Sequence, residues 1–192
     1  MPVLRDPGFR AFTLKYHGPS NRLITEISIF EAFDPAKPPS SLPTPYKTRA
    51  LWDTGSTGSV LTKAVVGSLS LVPVGRVNVQ HFGGSDTSNT FLVNLFLPNK
   101  VGIPGVLVTE CQHIIAGCDA IIGMNIIIQG DLAITNVNEK TCMTFRIPSL
   151  QTIDYVMDAD RITFAGVSRN APCPCGKKDA SGKPIKYKHC HG

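Results

Sequence analysis

Short apolar runs, bounded by glycine, proline or polar turn residues, recur along the first 150 residues of the chain. Runs of this length that are rich in β-branched and aromatic residues are typical of strands. Within these 150 residues, helical spacing is confined to two short segments, 63–69 and 124–129. We therefore predict an all-β closed barrel with two short helices and strands at 9–16, 23–30, 48–52, 72–80, 90–97, 105–109, 120–122, 132–136 and 141–146.

Two polar segments separate these predicted strands. The segment 35–45 contains five prolines, which cannot pair into the centre of a sheet, so it is predicted to be a surface loop. The segment 80–89 contains Gly83 and Gly84 and lies between two extended runs. It suits a hairpin tip that opens and closes, and the alternative is an ordinary long hairpin loop.

Composition limits the size and class of the protein. With 192 residues and 42% hydrophobic content, the chain can build one core and a small appendage. No run approaches the ~18 apolar residues that a membrane helix needs, and the N-terminal segment has no apolar signal core. We expect a soluble, cytoplasmic protein, in which Cys111, Cys118 and Cys142 are buried thiols acting as small hydrophobic residues.

The tripeptide Asp53-Thr54-Gly55 lies in a tight turn directly after the apolar run 48–52. Gly55 permits backbone angles and a close approach that a Cβ would forbid. Thr54 can hydrogen-bond across to a partner turn, and Ser56 can donate a hydrogen bond to the carboxylate. The alternative is an Asx turn that only closes a strand. A functional site is favoured by a second apolar strand, 120–122, which also ends in glycine.

These residues resemble the retropepsin-like aspartic proteases over roughly 9–149. In that family a flap hairpin follows the catalytic turn, and an apolar-apolar-glycine strand then passes beside the catalytic loop, which 120–123 matches. The run 124–131 is similar to bacterial members. Asn125 stands where Asp is expected, and Trp52 stands where Ile or Val is more usual.

The resemblance implies an acid-protease barrel with catalytic residues in the turn and a substrate-binding flap. The implied catalytic residues are Asp53, Thr54 and Gly55, and the implied substrate-binding residues are Ser56, Gly83 and Gly84.

Aspartic protease chemistry needs two carboxyl groups that share one proton. The ionised group takes a proton from water, and the protonated group polarises the scissile carbonyl. The chain contains one Asp-Thr-Gly, and Asp86-Thr87-Ser88 lacks the glycine, so a two-lobed monomer is excluded. We therefore predict a homodimeric endopeptidase for peptide or protein substrates, with two copies of Asp53 across a two-fold axis and no catalytic cofactor.

A second candidate site lies at the C-terminus, where Cys173-Pro174-Cys175 is followed by Cys190-His191. Three thiolates and one imidazole form the ligand set of a closed structural zinc centre, and His189 is a possible competing ligand. Reactive or disulfide-bonded cysteines are the alternative. The segment resembles the SEC-C motif of the bacterial preprotein translocase ATPase, which places the fourth ligand directly after the last cysteine and thus implies His191. The loop 177–185 is longer than is usual in that family.

The charge of the chain is concentrated in this C-terminal segment. From residue 169 onward six lysines and arginines face one aspartate, whereas the preceding residues carry thirteen basic and thirteen acidic side chains. A basic, metal-clamped module suits docking to an acidic protein, ribosomal or RNA surface, although a merely solubilising tail is also consistent with this charge. Tyr187 alone offers no stacking platform, so sequence-specific nucleic-acid recognition is not expected.

We predict three segments: a protease domain at 1–150, a connector at 151–168 and a zinc module at 169–192. The apolar spacing within 151–168 fits partly a helix and partly a strand. Two other functions remain open. The barrel is either a non-catalytic peptide-binding protein docked through its zinc module to a ribosome, chaperone or export machinery, or a quality-control factor whose protease activity is restricted to clients.

Overall fold

The computed structural model describes residues 8–34, 36–41, 43–81, 84–98, 101–115 and 117–191. These residues form two compact units, Met1–Leu150 and Gln151–Gly192. The first unit contains ten strands and two helices, in the order β1 Arg10–Lys15, β2 Ile24–Glu31, β3 Tyr46–Trp52, β4 Ser59–Thr62, α1 Lys63–Ser68, β5 Gly75–His81, β6 Gly84–Leu97, β7 Val101–Cys111, β8 Ala120–Ile122, α2 Met124–Ile127, β9 Asp131–Thr135 and β10 Cys142–Ile147.

Six strands of the first unit close into a barrel in the order β2-β3-β8-β4-β7-β6, because β6 also pairs with β2. The pairs β3–β8 and β4–β7 are parallel, and the remaining neighbours are antiparallel. The first half of β6 extends beyond the barrel and pairs with β5 as a hairpin. The all-β closed barrel with two short helices that the apolar pattern predicts is thus confirmed.

A second sheet, in the order β1-β10-β9, packs against the barrel through aromatic residues. The Trp52 ring lies 5.9 Å from the Phe12 ring and 5.0 Å from the Phe145 ring, measured between centroids. The indole N–H of Trp52 donates a buried hydrogen bond of 2.9 Å to the hydroxyl of Thr25. Buried aromatic residues of β1, β3 and β10 therefore join the two sheets directly beside Asp53.

The structure differs from the sequence-based expectation in three places in this unit. Strand β4 was not predicted, because its four residues follow a turn rich in Gly and Ser and show no alternation. Strand β6 begins at Gly84, so most of the predicted hairpin tip is paired strand, and Gly83 lies outside the described residues. Cys118 is buried as expected, but Cys111 and Cys142 are partly exposed because they end β7 and begin β10.

The second unit contains a helix and a compact cysteine-rich loop. Helix α3, Tyr155–Thr163, begins at Asp154, whose carboxylate accepts hydrogen bonds of 2.9 and 3.1 Å from the amides of Val156 and Met157. This N-cap resolves the ambiguous spacing of 151–168 in favour of a helix. The loop that follows is held by isolated bridges from Pro172 to Lys186 and from Lys178 to Pro184, and it ends in a 3₁₀ turn, Tyr187–His189.

Among the helices of the described residues, we find none with the length and apolar character that crossing a membrane requires.

Candidate active site and metal centre

The Asp53 turn starts where β3 ends beside β8. Because the two strands are parallel, with Trp52 opposite Ile122, the amide of Asp53 donates to the carbonyl of Ile122 at 3.0 Å. The Asp53 Oδ1 atom accepts a hydrogen bond of 2.8 Å from the amide of Gly55. Asp53 is half-buried, whereas Thr54 and Gly55 are exposed. The sheet thus fixes the backbone of the turn and leaves its tip accessible.

The backbone that follows β8 supports the other side of this turn. The amide of Met124 donates to the carbonyl of Ser56 at 2.8 Å, and the amide of Asn125 donates to that of Thr57 at 3.2 Å. Two consecutive backbone bonds hold the loop after Asp53 against the start of α2. The prediction that the glycine-terminated strand passes beside the Asp53 loop agrees with these contacts.

A polar pair behind the loop, the buried Ser59 and the half-buried Asn125, was not singled out from the sequence as part of the site. The hydroxyl of Ser59 accepts a hydrogen bond of 3.1 Å from the amide of Gly123 and donates one of 2.8 Å to Asn125 Oδ1. The Nδ2 group of Asn125 donates in turn to the carbonyl of Leu107 at 3.0 Å. Asn125 therefore makes both an acceptor and a donor contact, and the latter is one that a carboxylate at this position cannot make.

The hydrogen bond predicted from Ser56 to the Asp53 carboxylate is not the one in the structure. The Ser56 hydroxyl donates to the carbonyl of Gly58 at 2.7 Å, because the turn curls back on itself and places that carbonyl within reach. Gly84, predicted to contact substrate, begins β6 with φ +132°, opposite His81. The bond from Ser56 to Gly58 thus stabilises the loop, and it leaves the Asp53 carboxylate without a bond from this hydroxyl.

One groove of the first unit lies apart from this turn. It has a volume of about 1190 Å³ and lies among β1, β2, β3 and the end of β6, with Phe12, Tyr16, Arg22 and Lys47 among its lining residues. Asp53 is not one of them. A peptide presented to Asp53 thus requires walls other than this groove.

The second unit gathers the four residues that the sequence proposed as metal ligands. The ligand atoms of Cys173, Cys175, Cys190 and His191 all lie within 4.8 Å of one another. The Cys173 Sγ atom is 3.2 Å from His191 Nδ1, and the Cys175 and Cys190 Sγ atoms are 3.5 Å apart. In a tetrahedral zinc centre with Zn–S bonds of ~2.3 Å, neighbouring sulfurs are ~3.8 Å apart. The cluster fits such an ion, and His189 is not part of it.

The thiols of this cluster have divergent acidities. A hydrogen bond from the backbone of Lys177, followed by one from Cys173, lowers the pKa of Cys175. Burial, followed by the neighbouring thiols of Cys175 and Cys173, raises the pKa of Cys190 to about 11. All six cysteines of the chain lie among the described residues and are free thiols. The cluster is thus a set of closely spaced thiols without a disulfide.

One contact to this cluster was not foreseen from the sequence. The Nε2 atom of His191 lies 3.1 Å from Asp160 Oδ2, on α3. Asp160 lies well before Cys173, the first cysteine of the cluster, and the residues between them contain no spacing typical of metal ligands. No motif could therefore identify it.

No family model matches the chain. The chain is 58% identical to the protein translocase subunit SecA of Variovorax paradoxus over 36 residues. These residues are 19% of this chain and span 3% of the length of SecA. Among solved structures the chain is similar to a retropepsin-like aspartic protease from Rickettsia conorii, with 8% identity, coverage of 75% of this chain and 98% of that one, and a TM-score of 0.44. It is also similar to the retroviral protease-like domain of Ddi1 from Leishmania major, with 16% identity, coverage of 68% and 97%, and a TM-score of 0.37. These values are too low to transfer an activity to this chain.

Proposed function

We propose that the protein is an aspartic endopeptidase whose active site forms when two copies of the chain bring their Asp53 carboxyl groups together. The observation that carries this proposal is the Asp53 turn itself. Its backbone is held by Ile122, Met124 and Asn125, while its tip is exposed. A rigid support under an accessible carboxylate is what a site needs if it must hold a reacting group within about half an ångström.

The chemistry requires a second carboxyl group, and the chain contains no second Asp-Thr-Gly or Asp-Ser-Gly. In the proposed dimer the ionised Asp53 takes one proton from a water molecule while the water oxygen bonds to the carbonyl carbon of the peptide. The protonated Asp53 donates to the carbonyl oxygen. As the C–N bond of the tetrahedral intermediate breaks, the nitrogen takes the proton that came from water, and one hydroxyl of the intermediate returns its proton to the other Asp53, so that the dyad again holds one proton. Because the two chains are identical, neither role belongs permanently to one copy.

The Asp53→Asn variant tests this proposal directly. An asparagine side chain keeps the oxygen that accepts from Gly55, so the turn is retained, but it cannot take a proton from water. Cleavage of a mixed peptide library, read by mass spectrometry, should fall by at least ~10³-fold. Asp34→Asn is the matched control, because Asp34 Oδ1 makes the same kind of turn contact with the amide of Ala36, at 2.9 Å. Proteolysis that survives in Asp53→Asn would disprove the assignment.

Mixing the two proteins tests whether the site is shared between subunits. Equal amounts of wild type and Asp53→Asn that exchange subunits freely form one fully wild-type dimer in four. If both copies of Asp53 are needed, the mixture therefore retains about a quarter of the activity of wild type at the same total protein concentration. If each chain acts alone, half remains. Retention of half would therefore rule out the shared dyad and leave a single-chain mechanism.

For the second unit we propose a structural Zn²⁺ ion held by Cys173, Cys175, Cys190 and His191. The spacing of these ligand atoms supports the proposal. One zinc per chain is expected by elemental analysis, and Co²⁺ substitution should give thiolate charge-transfer bands. Protein without zinc that also fails to take up Co²⁺ would refute it.

Free thiols and a zinc–thiolate centre suit a reducing compartment, so we propose a cytoplasmic location.

The surface of the same unit supports docking to an acidic partner, such as a protein or ribosomal surface. Most of its basic side chains are exposed: Arg169, Lys177, Lys178, Lys183 and Lys186. Co-sedimentation with ribosomes should be lost when salt is raised, and it should weaken in Lys177→Glu/Lys178→Glu. If binding is insensitive to both changes, electrostatic docking is wrong.

If Asp53→Asn and wild type are equally inactive but bind peptides, the non-catalytic peptide-binding function replaces the protease.

A further inference from the structure

The imidazole of His191 is held at both of its nitrogen atoms. Its Nδ1 atom faces the thiol cluster, 3.2 Å from Cys173 Sγ. Its Nε2 atom faces away, 3.1 Å from Asp160 Oδ2 on α3. Both side chains are partly buried, with 15% of the His191 side chain and 33% of the Asp160 side chain exposed. The two nitrogens of one ring therefore have two different partners.

These contacts assign separate tasks to the two nitrogens. A neutral imidazole carries a proton on one nitrogen and a lone pair on the other. A carboxylate at Nε2 accepts a hydrogen bond, so it favours the tautomer with the proton on Nε2. The lone pair then lies on Nδ1 and is directed at the cluster. Carboxylates that orient a ligating histidine in this way commonly also make it a better electron-pair donor.

The ring plane of His191 is constrained as well. Its centroid lies 5.0 Å from that of Phe164, directly after α3, and 6.4 Å from that of Tyr187, which stacks with an interplanar angle of 10°. Phe164 and Tyr187 contact each other edge to face, at 6.0 Å. Helix α3 and the residue that follows it therefore supply a hydrogen-bond acceptor and an aromatic ring contact to the histidine.

We propose that Asp160 is a positioning residue of the metal centre, which fixes His191 as an Nδ1 ligand and makes α3 part of the metal-binding module. This inference rests on the proposed metal site. The functional module then begins at the N-cap Asp154 rather than at residue 169. Metal uptake is coupled to α3 through one hydrogen bond and one ring contact, and no such coupling is needed if the loop 169–191 binds the metal by itself.

Competition between the full-length protein and a chromophoric chelator measures the zinc affinity. Asp160→Ala should weaken zinc binding about 10- to 100-fold, the range found when the outer partner of a metal-bound histidine is removed. Asp160→Asn keeps an oxygen acceptor and should lose less, which separates the hydrogen bond from the bulk of the side chain. Asp158→Asn is the matched control on the same helix. It removes one negative charge about 200° around the helix from Asp160 and should leave the affinity within about twofold.

A second readout, insensitive to a merely structural role, is the ¹⁵N spectrum of the His191 ring in the zinc-loaded protein. The wild type should show metal on Nδ1 and a slowly exchanging proton on Nε2, and Asp160→Ala should lose the slow exchange. Metal on Nε2 in the wild type overturns the inference, as does equal zinc affinity in Asp160→Ala and Asp158→Asn. A wild type that binds neither Zn²⁺ nor Co²⁺ overturns the metal site as well, so the two failures are distinguishable.

Discussion

Gly123 lies so close to the backbone of Gly58 that a Cβ at position 123 would stand 2.3 Å from the Gly58 carbonyl oxygen and 2.5 Å from its carbonyl carbon. The same Cβ would be 3.0 Å from the carbonyl oxygen of Ser56. All three atoms belong to the loop that follows Asp53. The glycine that ends β8 is therefore required by backbone packing beneath the proposed active site.

Gly123→Ala should destabilise the protein by about 3 kcal/mol or more, because backbone atoms cannot rotate away as a side chain would. If the loop moves instead, Asp53 moves with it and peptide cleavage should fall even where the chain stays folded. Urea unfolding and peptide cleavage measure the two effects. Gly58→Ala is the control for stability, because among the described residues no atom outside its two chain neighbours lies within 4 Å of the added Cβ. Equal stability of the two variants would contradict this packing argument.

Ser56→Ala should leave the lower limb of the pH–rate profile where it is in the wild type. The hydroxyl donates to Gly58 rather than to Asp53, so its removal costs about 1 kcal/mol of loop stability but changes no interaction of the carboxylate. Ser59→Ala, which removes the buried bond to Gly123 and the partly buried bond to Asn125, should cost more. An upward shift of the lower limb in Ser56→Ala would instead place its hydroxyl on the carboxylate in the assembled enzyme.

Local patterns predicted much of this fold because strands and turns are encoded in nearby residues. The apolar runs around Trp52 and Ile122, each ending in a turn, indicated both strands that meet beside Asp53. The spacing of Cys173 and Cys175, and that of Cys190 and His191, likewise predicted the four residues whose ligand atoms lie together in the structure.

Contacts between distant segments were beyond local patterns. Strand β4 is recognisable only through its partners β7 and β8, since its own four residues show no alternation. The direction of the Ser56 hydroxyl depends on how the turn curls, and Asp160 reaches His191 from a helix whose spacing was ambiguous. In each case the deciding interaction joins residues whose separation or geometry leaves no periodic signal.

Thr25→Val should destabilise the protein by about 1–3 kcal/mol, although valine has nearly the shape of threonine. The substitution leaves the indole N–H of Trp52 buried without an acceptor. In a Trp52→Phe background that donor is absent, so Thr25→Val should cost little, and the double-mutant cycle should give a coupling of about 1–2 kcal/mol. Thr13→Val, on the exposed side of β1, is the control and should stay within about 0.5 kcal/mol of wild type. Additive effects of the two buried substitutions would show that the hydrogen bond contributes no coupling.

Asp131, at the start of β9, accepts hydrogen bonds from the guanidinium of Arg146, the hydroxyl of Ser149 and, at 2.9 Å, the amide of Leu150. The bond from Leu150, then that from Ser149, then that from Arg146 hold the pKa of Asp131 well below its ordinary value. The carboxylate thus joins the end of β10 and the residues after it to β9.

A carboxyl group whose pKa is lowered on folding stabilises the native state above its unfolded pKa of about 3.9, and it loses that contribution as the pH falls through the folded value. Asp131→Asn should therefore be less stable than wild type by a constant amount above about pH 5, and the difference should shrink progressively below about pH 4. Urea unfolding between pH 2 and 7 measures this difference. Asp34→Asn, which alters an exposed loop carboxylate with one backbone bond, is the control and should follow the wild type across the range. A stability difference between Asp131→Asn and wild type that stays constant down to pH 2 would show that the three donors do not favour the ionised carboxylate.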